Sequence, residues 1–573
     1  MVKITILDGY VDEPTCLGVP PYISPYPRYI AGAIIDADPH ATISYTTIDQ
    51  VRNSKSKDAL SKSDIIIIIA GNSVPGRYLS GFPLSPKELP PLLNSMPHPF
   101  KILCGPAAKY GFGMQGGKKT KSITSIENLF DALIKGDPEI VIHEFIKNGY
   151  KLDGISLSTK RENAQKSGKF AIKGSNIVSL HPLFPDFLIA EIETYRGCHR
   201  SISINGSCSF CSEFDKGAPD FRSINDIIYE IKALYDCGIK HFRLGNQPCI
   251  FSYMAKDMND DCPTPNPDAI LKLFKGIRTI APNLKTLHID NANPMVLARF
   301  PKECREIAKT IVKYHTSGDV AAIGMESADP IVIKKNNLKA SPDEVLSAIR
   351  LLNEVGSKRG ANGMPELLPG LNFISGLIGE SKNTFKLNYN FLKTVLGEGL
   401  MLRRINLRQV MPIQYTSLFK TESKFINKHR YEFQKFKKLI RETIDQPMLK
   451  RVIPEGTVLK SVLMEKHDGN TTFGRQMGTY PILIGVPGKF PLHQFITVKV
   501  TDYGYRSITA VPYPLDINTA NRDTIEAISG IGKKRAIRIL ANRPFKNENE
   551  ILEAIDDKLV GLKLLEFCKI GDL

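Results

Sequence analysis

Three cysteines fall within the fifteen residues "GCHRSISINGSCSFC": Cys198, Cys208 and Cys211, in a chain of 573 residues with ten cysteines in all. They occupy a polar, glycine-containing loop that follows an apolar run, a setting that suits metal ligation better than core packing. Structural zinc needs four ligands, so a zinc reading must borrow Cys237, Cys249 or His199. Buried, inert thiols are the plain alternative. The reading the loop favours is a 4Fe-4S cluster held by three cysteines, which leaves one iron open to a chelating small molecule.

The segment "RGC…CSFC" resembles the cluster loop of radical S-adenosylmethionine (radical SAM) enzymes, with Phe210 as the aromatic residue before the last cysteine. The family spacing is C-x3-C-x2-C, and here it is C-x9-C-x2-C. Three later segments resemble the family in the expected order. "LGNQPCIFSY", with Gly245 and Gln247, is similar to the second-strand segment that touches the amino group of S-adenosylmethionine. "GMESADPIVIKKNNLKAS" resembles the fourth-strand segment, which would bring Glu326 and Ser327 to the ribose and carboxylate. "ISGLIGES" resembles the adenine-side segment after strand five, with Gly376, Ile378 and Gly379. Each alone also reads as a tight turn between strand and helix. The resemblance implies a 5′-deoxyadenosyl radical, an electron donor such as a ferredoxin or flavodoxin, and no catalytic acid or base beyond the cluster ligands.

The elements that must position this loop are readable from periodicity. From about 185 to 415, "FLIAEIETYRG", "HFRLGNQ", "LKTLHID", "VAAIGMES", "LLPGLNFISGLIGE" and "LRRINLRQV" read as strands separated by helical stretches. Six βα units predict a partial barrel, with functional residues at the carboxyl ends of its strands. Residues 1–150 alternate short apolar runs with helix-like stretches, the pattern of an open α/β sheet. Its loops "GYVDEPTCLGVPPYISPYPRY", "GNSVPGRYLSG" and "GPAAKYGFG" sit where such sheets bind ligands. "LGVPPYISPYPRYIAGAI" resembles the cobalamin-binding-like domains that precede many radical SAM barrels. An Asp-x-His-x-x-Gly motif is missing and only Cys16 and Cys104 are present for a second cluster, so cobalamin and an auxiliary cluster are both disfavoured.

After about 450 the period changes to two, which predicts a small β-barrel over 451–514. It resembles the RNA-binding TRAM domain of tRNA methylthiotransferases, and Arg475, Lys489, Lys499, Tyr505 and Arg506 would supply phosphate contacts and stacking. Within 515–573, "ISGIGKKRAIRIL" resembles a helix-hairpin-helix: Gly530 and Gly532 shape a turn, followed by Lys533, Lys534, Arg535 and Arg538. A docking barrel and a protein-binding hairpin are the plain alternatives.

Net charge is +17, and residues 401–460 carry 14 basic and 5 acidic side chains, so the excess is a patch. Residues 416–450 read as a basic helical linker; contact with phosphates is the favoured role of its charge, and a solvated helix face with Phe425, Phe433 and Phe436 turned to the core is the plain alternative. The longest apolar run, Ile65–Ala70, is far shorter than the ~18 residues of a membrane span. No membrane partner is expected, and the start of the chain does not read as a secretion signal, so a cytoplasmic protein is expected. The expected fold class is α/β: an open cobalamin-binding-like domain, a partial (β/α)6 barrel, a TRAM-like barrel and a helix-hairpin-helix. The whole resembles an archaeal type of radical SAM enzyme that methylates or methylthiolates nucleic acid, tRNA favoured. DNA or a protein as target, and a non-catalytic nucleic-acid-binding protein with a structural metal, are the alternatives.

Overall fold

Five consecutive isoleucines, Ile65–Ile69, show how the chain builds its first sheet. Ile65, Ile67 and Ile69 join the largest apolar core, while Ile66 and Ile68 join a second core on the opposite face. A strand buried on both faces belongs inside a parallel sheet covered by helices. Here it is β3 (Ile65–Ile69), flanked by β1 (Lys3–Asp8), β2 (Thr42–Thr47), β4 (Phe100–Cys104) and β5 (Ala132–Leu133), all parallel in the order β2-β1-β3-β4-β5. The computed structural model describes residues 1–13, 15–53, 60–72, 81–258 and 261–570; most of "GNSVPGRYLSG" lies outside these.

The second unit is a wall of six parallel strands in chain order: β6 (Ile189–Glu193), β7 (His241–Gly245), β8 (Thr286–Ile289), β9 (Asp319–Glu326), β10 (Leu367–Ser375) and β11 (Arg404–Gln409). β8 breaks at Asp290 and resumes as Asn291–Ala292, which pairs with β9. Helices cover the outside. Ser223 caps the helix Ile224–Asp236 and a Ser341/Glu344 capping box starts the helix Pro342–Gly356, satisfying orphan backbone donors at both starts.

Two devices join the sheets. Tyr22–Ile23 pairs in parallel with Ile189–Ala190 and extends the barrel wall at its first edge. Arg28, on helix α1 (Tyr26–Ala37), is fully buried against Glu230, which also holds Arg222. Two buried cations around one carboxylate tie the N-terminal domain to the barrel.

Residues 458–512 form a closed barrel of β12 (Val458–Asp468), β13 (Thr471–Gln476), β14 (Leu483–Pro487), β15 (Phe495–Tyr503) and β16 (Ser507–Pro512). The order is β12-β13-β14-β16-β15, closed by β15 on β12, with β14 and β16 parallel and the other pairs antiparallel. Four short helices then pack on a separate apolar core built around Ile525, Ile539, Ile551 and Leu564.

The stretch 416–450 is largely helical, with the helix Arg430–Ile440 at its centre. Phe433, Phe436, Ile440, Ile444 and Met448 are buried in the main core, and Phe436 packs on Phe385 with ring centroids 5.6 Å apart. Phe425 is 57% exposed, whereas the solvated-face alternative turns it to the core. It belongs to a separate short helix, Ser423–Ile426, where Ile426 takes the buried position.

Candidate active site

At the carboxyl ends of the barrel strands lies a cavity with about 1550 Å³ of empty space, open mouth included. Its wall contains Cys208, Phe210 and Cys211 from the cysteine loop, Glu326 from β9, Asn372 from β10, and Arg404 and Arg408 from β11. Asp12, Glu13, Thr15 and Cys16 of the N-terminal domain line it as well. They come from the loop after β1, a hairpin held to the barrel because Thr15 donates to Glu213 at 3.1 Å and Asn246 N–H donates to the Thr15 carbonyl at 2.6 Å.

The cysteine loop is a closed structure. Tyr195–Arg196 pairs antiparallel with Asp220–Phe221 at its neck, and Cys198 N–H donates to the Gly217 carbonyl at 3.0 Å. The longer first gap is stitched by one side chain, Asn337. Its amide donates to the carbonyls of Asn205, Gly206 (2.9 Å) and Ser207 (3.1 Å), and its oxygen accepts from Arg200 at 2.7 Å. Arg200 in turn reaches the Cys208 sulfur at 3.4 Å. The neighbouring Asn336 accepts from the Ser209 hydroxyl at 2.8 Å and from Ile378 N–H at 3.2 Å, so it clasps the cysteine loop to the segment after β10. Neither asparagine was singled out in the sequence, because each gains its partners only when the loops meet.

Burial pushes the Cys208 thiol up and Cys211 up to about 12. Lys339 sits among these thiols: burial lowers its affinity for a proton, but Cys198, Cys208, Cys211 and Cys249 more than offset this and raise it. Cys249 accepts from Asn293 N–H at 3.2 Å, and Cys237 lies away from the site beside Asn176. His199 is buried with both ring nitrogens unpartnered, and burial lowers it to about 4.

A single tetrahedral zinc draws its sulfurs to roughly 3.8 Å from one another. Among the described residues no group of three His, Cys, Asp or Glu converges in that way.

Glu326 is aimed by a local irregularity. The register of β9 on β10 shifts between Gly324 and Glu326, and Glu326 adopts φ +61°. A bulge of this kind re-aims a side chain. A Cβ on Gly324 would lie 2.4 Å from the Glu326 carboxylate, so the carboxylate keeps this position only beside a glycine. One carboxylate oxygen is buried without a partner, and burial raises the group to about 8 against Lys339 and Arg408.

The other expected cofactor residues take supporting positions. Gly245 admits no side chain, since a Cβ would lie 1.9 Å from Glu191. Gln247 is fully buried and donates to the Leu244 carbonyl at 3.2 Å, and Ser327 accepts from Asp329 N–H at 3.1 Å; neither lines the cavity. Gly376 (φ +89°) and Gly379 (φ +90°) shape the turn that presents Ile378 to Asn336. Cys16 is on the cavity wall whereas Cys104 lies in the sheet core, donating to Ile68.

Of the expected nucleic-acid residues, Lys489, Tyr505, Arg506, Lys533, Lys534 and Arg538 are exposed. Two require correction. Lys499 is 8% exposed and donates to the Glu566 carbonyl at 2.7 Å, because the C-terminal helices cover that face of β15. Arg475 is ion-paired to Glu465 at 2.6 Å on the adjacent strand. Arg535 is drawn to Asp556 at 2.7 Å. Gly530 takes φ +89° at the turn, and Gly532 opens the helix Lys533–Ala541.

A partial parallel barrel with a cysteine loop over its carboxyl end defines a class of cofactor-dependent enzymes. The Radical SAM superfamily description matches residues 192–392. An uncharacterized protein of Methanocaldococcus jannaschii is 48% identical over 512 residues, covering 88% of this chain and 92% of its own. Another, from Archaeoglobus fulgidus, is 43% identical over 572 residues and covers 100% of both. The structure of the cobalamin-dependent S-adenosylmethionine radical enzyme OxsB with aqua-cobalamin bound is similar at a TM-score of 0.46 and 13% identity, over 76% of this chain and 56% of that one. Residues 192–392 thus carry a Radical SAM superfamily domain, and the whole chain belongs to one family with the two archaeal proteins. No helix among the described residues is long and apolar enough to cross a membrane.

Proposed function

We propose that this protein is a radical SAM enzyme that modifies nucleic acid, with tRNA as the favoured substrate and a methyl or methylthio group as the addition. Cys198, Cys208 and Cys211 hold a 4Fe-4S cluster, and S-adenosylmethionine occupies the cavity beside it. A cluster held there would supply the one electron for reductive cleavage of S-adenosylmethionine into methionine and a 5′-deoxyadenosyl radical. Lys339 offsets the negative charge of the thiolates, and Glu326 and Arg408 orient polar groups of the cofactor. The N-terminal hairpin with Asp12 and Cys16 closes the cavity against water.

The observation that carries the substrate class is how the small barrel meets the cavity. Tyr480, in the loop between β13 and β14, forms part of the cavity wall and donates to Asp290 at 3.0 Å. Tyr22 of the first barrel edge donates to the Gly478 carbonyl at 2.7 Å, and the Arg404 guanidinium of the last strand lies 3.9 Å from the Tyr480 ring centroid. The loop thus bridges the open side of the partial barrel. A five-stranded barrel of this strand order is an OB-type fold, a common host of single-stranded nucleic acid. Its β15–β16 loop presents the exposed Tyr505 and Arg506 beside the seal. The helix-hairpin-helix reading of residues 515–573 adds a backbone grip through Lys533 and Lys534.

The test is mass spectrometry of tRNA nucleosides from cells with and without the gene, and from tRNA of the deletion strain treated with reduced, reconstituted protein. A nucleoside that disappears on deletion and returns on treatment is expected. Identical nucleoside profiles would refute tRNA and turn attention to DNA or a protein.

A further inference from the structure

The outer side of the Arg404–Tyr480 seal is a second cleft, with about 780 Å³ of empty space, between the end of the barrel wall and the small barrel. Arg403, Arg404 and Arg506 line it, with Tyr480, Tyr505 and one acid, Asp445. The fully buried arginines of this chain are matched by carboxylates. Arg28 and Arg222 share Glu230, Arg243 holds Glu191 and Asp290, and Arg161 holds Glu193 and Asp220. The cleft is different. Among the described residues no carboxylate lies within 4.0 Å of the Arg403, Arg404 or Arg506 guanidinium. Arg403 donates once, to the Tyr480 carbonyl at 2.9 Å, and its Nε is buried with no partner.

The three cations also repel one another. Burial, then Arg404 and Arg506, lowers Arg403 to about 9; burial lowers Arg404 to about 10, with Arg408 and Arg506 acting the same way and Tyr480 and Asp290 opposing them. Arg441 and Lys437 add further positive charge nearby. Asp445 is a single carboxylate against three guanidinium groups; burial raises it to about 6, and Arg506 and Arg441 only partly reverse that. Uncompensated guanidinium groups in a half-buried cleft lack a counter-anion, and a planar fork of donors matches phosphate oxygens.

We propose that this cleft binds a backbone phosphate of the nucleic-acid substrate, holding it one side chain away from the reaction cavity. The inference rests on the nucleic-acid reading above and sharpens it. Arg403 and Arg506 grip the phosphate, Tyr505 offers a stacking face to an unpaired base, and the Arg404–Tyr480 pair separates the gripped phosphate from the base in the cavity.

The full-length reconstituted protein is titrated with a single-stranded RNA by fluorescence anisotropy over a range of salt, and with inorganic phosphate by thermal shift. The variants are Arg506→Gln, whose side chain is exposed, and Arg403→Gln, with Lys232→Gln on a remote helix as control. Arg506→Gln should weaken RNA binding about tenfold at low salt and reduce the salt slope by about 0.7. It should also abolish a phosphate-induced thermal shift, while Lys232→Gln matches wild type. RNA binding by wild type that neither arginine variant changes overturns the cleft and leaves the nucleic-acid reading standing. A phosphate shift lost in Arg506→Gln, with no RNA binding by wild type, overturns the polynucleotide occupant together with that reading. Absence of both responses overturns the inference entirely.

Discussion

Replacing Asn337 by Ala isolates the device that orders the long first gap of the cysteine loop. The substitution removes the two amide N–H groups shared by the carbonyls of Asn205, Gly206 and Ser207, about 2 kcal/mol together. It removes one acceptor of Arg200, which is 4% exposed and keeps the Asn337 backbone carbonyl at 2.7 Å and the Cys208 sulfur, at about 1 kcal/mol. It also forces a Cβ-bearing residue without a local hydrogen bond to hold φ +51°, at about 1 kcal/mol. Neighbouring effects overlap, so a net local cost of about 3–5 kcal/mol is expected, confined to residues 198–208. The assay is iron and sulfide per chain after anaerobic reconstitution, with the rate of iron loss to a chelator. Asn337→Ala should lose iron at least tenfold faster. Asn337→Gly, which relieves the backbone strain and restores no hydrogen bond, should behave nearly as badly. Wild-type iron retention in both variants would refute the argument that this side chain holds Cys198 in register with Cys208 and Cys211.

Further expectations concern other parts of the molecule. Gly324→Ala should push Glu326 from its position and raise the Kd for S-adenosylmethionine at least tenfold by equilibrium dialysis, with iron content unchanged; wild-type affinity would contradict this. Glu230→Gln leaves Arg28 and Arg222 buried without a charge partner and should destabilise the chain by about 3–5 kcal/mol, seen as a lower urea midpoint. His315, buried between Asp319 and Glu366, carries a raised pKa: burial lowers it, and the two carboxylates more than compensate. Its contribution is therefore full below the unfolded value of about 6.5 and lost as pH rises through the higher folded value. His315→Gln should cost stability at pH 5.5 and progressively less at alkaline pH; a difference that does not vary with pH would refute the assignment.

Much of the site's scaffold is legible in the sequence because it depends on local pattern. The six barrel strands follow from apolar runs with capped helices between them, and the cysteine loop from residue type and spacing. The all-isoleucine β3 is legible for the same reason. What escapes is set by distant partners. Asn336 and Asn337 look like turn residues until the fold brings residues 205–209 and 378 to them. Lys499 looks like a surface cation on an alternating strand, but residues 498–501 are all buried, because barrel interior and C-terminal helices cover opposite faces. Arg475 loses its apparent freedom to Glu465 across a hairpin whose register shifts between Met464 and Lys466. The role of Tyr480 as a seal between two barrels has no signature in its own neighbourhood.

The central claim is a cluster anchored by Cys198, Cys208 and Cys211 with its fourth iron free for S-adenosylmethionine. Electron–nuclear double resonance on the reduced, reconstituted protein with S-adenosylmethionine labelled with ¹⁵N at the amino group tests it most directly. The account predicts a hyperfine coupling from ¹⁵N in wild type, and loss of the cluster signal when any of the three cysteines becomes alanine. A cluster signal that shows no ¹⁵N coupling, or one that survives Cys198→Ala and disappears in Cys249→Ala, would contradict it.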